Sequence, residues 1–121
     1  MHILVVDDDP ACVRSLAEYL RRRDHRVSTA PNGRKGLSLM ASDPPDLVIS
    51  DIQMPEMDGI EYLQRIREDY PDLPVILMTG YATADSAISA LRNRACDYLQ
   101  KPVSLQELQG CIDRIISDRQ P

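Results

Sequence analysis

The chain of 121 residues contains no apolar run near the roughly 18 residues that a membrane span requires, and its N-terminus lacks the charged-then-apolar layout of a secretion signal. A cytoplasmic chain without membrane contact is therefore expected. Positive charge is not in excess either: 14 basic residues against 19 acidic ones leave a net charge of −5. Binding to phosphate backbones rests on clustered Lys and Arg, so direct nucleic-acid contact is excluded as the main role. The one dense basic run, Arg21-Arg22-Arg23, fits a helix C-terminus, where cations complement the dipole. Cysteine is sparse: Cys12, Cys96 and Cys111 are odd in number and set apart among apolar neighbours. That pattern excludes a disulfide framework and predicts buried free thiols. Lysine is scarcer still, with Lys35 and Lys101 alone. No repeat, linker or low-complexity tract divides the chain, and one domain over residues 1–121 is expected to bury a core without staples.

What is present is alternation. Apolar stretches near residues 2–6, 26–30, 46–50, 74–78 and 96–99 are predicted to be strands. Between them lie helical stripes: Val13, Leu16, Ala17 and Leu20; Leu37 and Met40; Ile60, Leu63 and Ile66; Ala84, Ala87, Ile88 and Leu91; and Leu105, Leu108, Ile112, Ile115 and Ile116. Strands alternating with helices imply a doubly wound α/β fold, a (βα)5 parallel sheet with helices on both faces. Right-handed crossovers make 2-1-3-4-5 the expected strand order, flavodoxin-like, with its switch point between strands 1 and 3.

Polar groups stand at the ends of these apolar runs. Asp7 and Asp8 follow Ile3-Leu4-Val5-Val6, Asp51 follows Leu47-Val48-Ile49-Ser50, Thr79 follows Val75-Ile76-Leu77-Met78, and Lys101-Pro102 follows Cys96-Asp97-Tyr98-Leu99. Open α/β sheets bind ligands beyond the carboxyl ends of their strands, so all of these groups are expected in one crevice. His2 and His25 lie apart from it, Met54 and Met57 read as packing around Pro55, and Asn32-Gly33 reads as a turn into the second helix.

Three carboxylates brought together repel: two unit charges about 4 Å apart cost about 4 kcal/mol at an effective dielectric near 20. A cation must offset this. An all-oxygen cluster without His or Cys suits a hard divalent ion, and Mg²⁺ prefers a few protein oxygens plus waters. The expected ligands are Asp8, Asp51 and the backbone carbonyl of Gln53, with Asp7 acting through a water. The other oxygen of Asp51 is then free to attack phosphorus, as carboxylates do in covalent catalysis. A transferring phosphoryl spreads charge over three oxygens, which Mg²⁺, the Lys101 ammonium and the Thr79 hydroxyl could each meet. A cis Lys101-Pro102 bond would be one way to swing that ammonium inward.

With these motifs in hand, Val5-Val6-Asp7-Asp8, Asp51 through Gly59, Met78-Thr79-Gly80 and Asp97-Tyr98-Leu99-Gln100-Lys101-Pro102, the chain resembles a receiver domain of bacterial two-component response regulators, from residue 1 to about residue 118. The resemblance implies that Asp51 is the phosphoacceptor, that Asp7 and Asp8 are the metal carboxylates, and that Thr79 and Lys101 sense the phosphate. Tyr98 matches an aromatic switch that turns inward when the threonine moves. The implied partners are a sensor histidine kinase and a downstream effector, with a phosphorylation-dependent dimer as a further expectation. The implied signalling surface includes Ala87, Leu91, Arg92, Tyr98, Gln100 and Leu105. The domain would be a switch, catalysing only its own phosphorylation and dephosphorylation, and the chain carries no sign of an output domain. One departure stands out: Arg94 occupies a position where the family usually has glycine. Either Arg94 strains that helix cap or Asn93 takes the left-handed role.

Two other classes fit less well. A phosphohydrolase using an aspartyl-phosphate would need an acid/base carboxylate two residues after its nucleophile, where Gln53 stands. A nucleotide- or flavin-binding module would need a Gly-rich loop after strand 1, where Asp7-Asp8-Asp9 stands instead.

Overall fold

The computed structural model describes residues 1–119 and contains one five-stranded parallel sheet with order β2-β1-β3-β4-β5. The strands are β1 (His2–Val6), β2 (Arg26–Ala30), β3 (Leu47–Asp51), β4 (Val75–Thr79) and β5 (Asp97–Gln100). The helices are α1 (Pro10–Arg22), α2 (Gly33–Ser42), α3 (Gly59–Asp69), α4 (Ala84–Arg92) and α5 (Leu105–Arg119). The doubly wound α/β expectation holds. Among the described residues no helix is long and apolar enough to cross a membrane.

Successive strand side chains point to opposite faces, and here both faces are covered. Ile3, Val5, Ile49, Ile76 and Met78 pack against Leu16 and Leu20 of α1 and Leu108 and Ile112 of α5. Leu4, Val6, Val48, Val75 and Leu77 pack on the other side against Met40 of α2, Leu63 and Ile66 of α3 and Ala90 of α4. Full burial of such a side chain contributes roughly 1.5–3 kcal/mol, so the central strands β1, β3 and β4 form the rigid floor beneath the strand ends. Tyr62, fully buried on α3, is wedged here. Its hydroxyl donates to Met40 Sδ at 3.2 Å. A Cβ at Gly36 would lie 2.5 Å from that hydroxyl oxygen, so glycine at this position makes room for the ring.

Polar caps set where the helices begin. Asp9 accepts from the Ala11 N–H with Pro10 opening α1, Asn32 accepts from Lys35, and Asp58 accepts from Glu61. Thr83 and Ser86 form a reciprocal capping box on α4. Each such cap is worth about 1 kcal/mol. Because Asp9 caps α1, Asp7 and Asp8 remain available at the strand end.

Two expectations need correction, the bounds of three strands and the burial of the cysteines. Strands β3, β4 and β5 each start and end one residue later than predicted, because the slanted parallel ladder carries Asp51 and Thr79 within it: Asp51 pairs with Met78, and Thr79 with Gln100. The apolar stripe on α4 does not face the core. Ala84, Ala87, Ile88 and Leu91 are exposed, and α4 turns Ser86, Ser89 and Ala90 inward instead. Leu105 is likewise exposed, leaving Leu108, Ile112 and Ile115 as the buried line of α5. Of the cysteines only Cys111 is buried; Cys12 is half-buried and Cys96, just before β5 at the sheet edge, is exposed. At the end of α4, Arg94 takes the left-handed conformation at φ 61°, while Asn93 stays at φ −96°.

Candidate functional site

Strands β1, β3, β4 and β5 all deliver their C-terminal ends to one edge of the sheet, and the side chains there are polar and mostly buried. Asp7 is 1% exposed, Asp51 4% and Thr79 0%. Asp8 sits in solvent beside them. Carboxylate oxygens of Asp7, Asp8 and Asp51 lie within 4.8 Å of one another. The predicted triad is thus assembled.

Lys101 reaches into this cluster from the turn after β5. Its Nζ donates to Asp7 Oδ2 at 2.7 Å and to Asp51 Oδ2 at 3.2 Å. The turn is anchored by the Lys101 N–H on the Thr79 carbonyl at 2.7 Å, and the Lys101-Pro102 peptide is cis. Beside the lysine a groove of about 440 Å³ opens between α1 and the start of α5, lined by Asp9, Cys12, Ser15, Pro102 and Leu105 among others.

The electrostatics separate the two buried carboxylates. Burial pushes both up, but Asp7 gains more than it loses: bonds from Lys101 and the Asp9 N–H, with the Cys12 thiol adding to them, hold it below the usual carboxylate range. For Asp51 burial and the neighbouring Asp7 charge together outweigh Lys101, and its carboxyl is pushed up. Burial alone would lower the Lys101 ammonium; the bond to Asp7 and the charges of Asp7 and Asp51 more than reverse this, so the lysine is firmly cationic. Asp51 Oδ1, although buried, has no hydrogen-bond partner among the described residues. A buried acceptor left open costs about 1–3 kcal/mol, which points to a ligand that completes it. An oxygen-only donor set with one lysine suits a hard divalent cation and an anionic group together.

Thr79 and Tyr98 are placed differently from the carboxylates. The Thr79 hydroxyl is bonded to Gln53 Oε1 at 2.8 Å and receives the Tyr81 N–H at 3.0 Å. Tyr98, half-buried on β5, bonds through its hydroxyl to Ser86 Oγ of α4 at 2.6 Å. Sequence reading took Gln53 for its carbonyl and left Ser86 and Cys12 aside. The available signals were the position of Gln53 two residues beyond Asp51, the Thr-x-x-Ser capping pattern at residues 83–86, and Cys12 one turn into the helix after Asp7-Asp8.

A family model for the response regulator receiver domain matches residues 3–113. The transcriptional regulatory protein ZraR of Klebsiella oxytoca is 45% identical over 107 residues, covering 88% of this chain and 24% of that protein. The DNA-binding transcriptional regulator NtrC of Salmonella typhimurium is 40% identical over 118 residues, covering 98% of this chain and 25% of its own length. The chain thus spans about a quarter of these curated relatives. Among solved structures, a response regulator receiver domain protein (CheY-like) from Methanospirillum hungatei JF-1 superposes with a TM-score of 0.93 at 30% identity, covering 97% of this chain and 94% of that one.

Proposed function

The chain belongs to the response regulator receiver family, a phosphoryl-accepting signalling domain, and we propose that Asp51 is its phosphoacceptor. The observation that carries this is the buried Asp51 side chain, with Oδ2 held by Lys101 at 3.2 Å and Oδ1 open. Oδ1 attacks phosphorus; the P–N bond of a phosphohistidine on a sensor histidine kinase, protonated on its other ring nitrogen, breaks as the P–O bond forms, and the imidazole leaves as the neutral base. Lys101 stays between Asp7 and the acceptor, where its charge meets the developing negative charge on the phosphoryl oxygens.

Mg²⁺ is the cofactor we assign to the acidic cluster, held by Asp7, Asp8, Asp51 and the Gln53 carbonyl, and it would neutralise the transferring group. Thr79 and Lys101 sense the phosphate and Tyr98 responds to it. The exposed apolar face of α4, with β5 and the start of α5, is the surface that presents the altered state to a downstream effector or to a second copy. Catalysis is confined to the domain's own phosphorylation and dephosphorylation, and its place is the cytoplasm. The family match favours signalling over a phosphohydrolase, and the Gln53 amide, committed to Thr79 and Gly80, offers no acid/base group.

The test is labelling. With Mg²⁺ and acetyl phosphate the protein should acquire one acid-stable, alkali-labile phosphate, and Asp51→Asn should abolish it. Undiminished labelling of that variant would overturn the assignment.

A further inference from the structure

Each of the two switch residues has a hydroxyl, and both are hydrogen-bonded in the structure. The Thr79 oxygen already accepts from the Tyr81 N–H, so its own proton goes to Gln53 Oε1 at 2.8 Å. The Gly80 N–H donates to the same Oε1 at 3.3 Å, which fixes the carbonyl end of the amide toward Thr79. On the other side, the Ser86 hydroxyl donates to the Thr83 carbonyl at 3.1 Å. The same Oγ lies 2.6 Å from the Tyr98 phenol oxygen, a bond in which either hydroxyl can donate.

We propose that Gln53 and Ser86 are positioning residues of the switch: they are the resting-state hydrogen-bond partners that hold Thr79 and Tyr98 in place, and phosphorylation acts by competing for the Thr79 proton. This rests on Asp51 being the acceptor. A dianionic phosphoryl is a stronger acceptor than a carboxamide, because hydrogen bonds to charged groups are roughly twice as strong as neutral ones. Once Thr79 leaves Gln53, the Tyr98 ring can turn toward the vacated space only by giving up Ser86. Ser86 is also the N3 residue of the α4 capping box, so releasing the phenol changes the N-terminal cap of the helix that carries exposed Ile88 and Leu91. The two bonds thus link the acceptor site to the start of the signalling helix, and their combined strength sets how readily the unphosphorylated protein resembles the active one.

The experiment follows backbone amide signals of the whole chain by NMR, with Mg²⁺ and beryllofluoride as the phosphoryl mimic. In the parent, saturating beryllofluoride defines the path of the Gly80, Tyr81 and Ser86 amides from resting to active. Gln53→Met and Ser86→Ala, without beryllofluoride, should each move these amides part-way along that path, raising the active population about fivefold per bond lost. The double variant should move them further. Tyr98→Phe should match Ser86→Ala, with little added effect when the two are combined, and Ser86→Thr, which keeps the hydroxyl, should restore the resting positions. A cap serving stability alone would lower the melting temperature without moving signals along the beryllofluoride path. Variants with parental resting positions in a responsive parent would overturn the latch alone. A parent that neither responds to beryllofluoride nor takes phosphate from acetyl phosphate would overturn the acceptor assignment, and the latch with it.

Discussion

The Arg67 guanidinium donates to the Arg94 carbonyl at 2.9 Å, and Arg94 is the left-handed residue that ends α4. The same guanidinium also reaches the carbonyls of Asn93, Tyr70 and Leu73, at 3.0, 3.2 and 2.7 Å. One α3 side chain therefore ties together the turns before β4 and β5. A family position usually filled by glycine tolerates arginine here because these bonds fix its backbone.

Arg94→Gly should therefore stabilise the protein, by about 0.5–1 kcal/mol. Glycine removes the left-handed penalty of roughly 1–2 kcal/mol, partly offset by its greater freedom in the unfolded chain. Arg67→Ala should cost about 3 kcal/mol by stranding half-buried carbonyls. Urea denaturation of both variants checks the pair, and a destabilised Arg94→Gly protein would show that the turn carries no strain.

Two glycines should respond to alanine in opposite directions. Gly59 opens α3 directly against the acceptor strand, where a Cβ would overlap the Asp51 carbonyl oxygen. Gly59→Ala should cost about 1–3 kcal/mol through overpacking and slow phosphorylation by shifting Asp51. Gly110, inside α5, has open space where its Cβ would stand. Gly110→Ala should add about 0.5–1 kcal/mol and leave phosphorylation unchanged. Thermal melts with acetyl phosphate labelling separate the two outcomes.

These contrasts show where sequence was informative. Asp7, Asp8, Asp51, Thr79 and Lys101 were legible as a group because each ends a strand, and a parallel sheet brings such ends to one edge. The pairing of Thr79 with Gln53, and of Tyr98 with Ser86, depends on rotamers that no periodicity encodes. The α4 stripe shows the limit of periodicity, since a helical period identifies an apolar face without saying whether the sheet or the solvent meets it. Turn chemistry is less legible: among the described residues the left-handed positions are Asp24, Glu56 and Arg94, and no glycine has a positive φ.

The buried carboxylates set a pH-dependent stability with a definite sign. The raised carboxyl of Asp51 means that the folded state binds this proton more tightly than the unfolded chain, so its ionised form destabilises the metal-free protein above its folded pKa. Asp7, held low, does the reverse: its contribution is present above its unfolded pKa of 3.8 and is lost as pH falls through the lower folded value. Metal-free Asp51→Asn should therefore be more stable than the parent near pH 7, with the gap closing as pH falls and the parent carboxyl takes up its proton. Mg²⁺ near pH 7 should also narrow the gap, since it binds the folded parent and offsets the repulsion. Urea curves with and without chelator check this, and a pH-independent gap would remove the raised carboxyl from the account.

The last prediction concerns the outward side of α4. Leu91 is 77% exposed and Ile88 47%, and Tyr81, in the loop before the helix, is 73% exposed. Burying such side chains only in one signalling state gives a partner differential affinity for that state, and such affinity is what shifts a two-state equilibrium. Leu91→Arg touches no core contact, so stability should change by less than about 0.5 kcal/mol and acetyl phosphate labelling should be unaltered. Association of the beryllofluoride-bound form with a second copy or with an effector should nevertheless weaken at least about tenfold, the equivalent of about 1.4 kcal/mol. Arg92 and Arg94 border this face, so the residual binding should depend on salt, which screens their charges. Sedimentation with and without beryllofluoride measures the association, and amide shifts locate it. Parental association by the variant, together with shifts confined to α1 and α2, would place the signalling surface at the opposite edge of the sheet, beside β2.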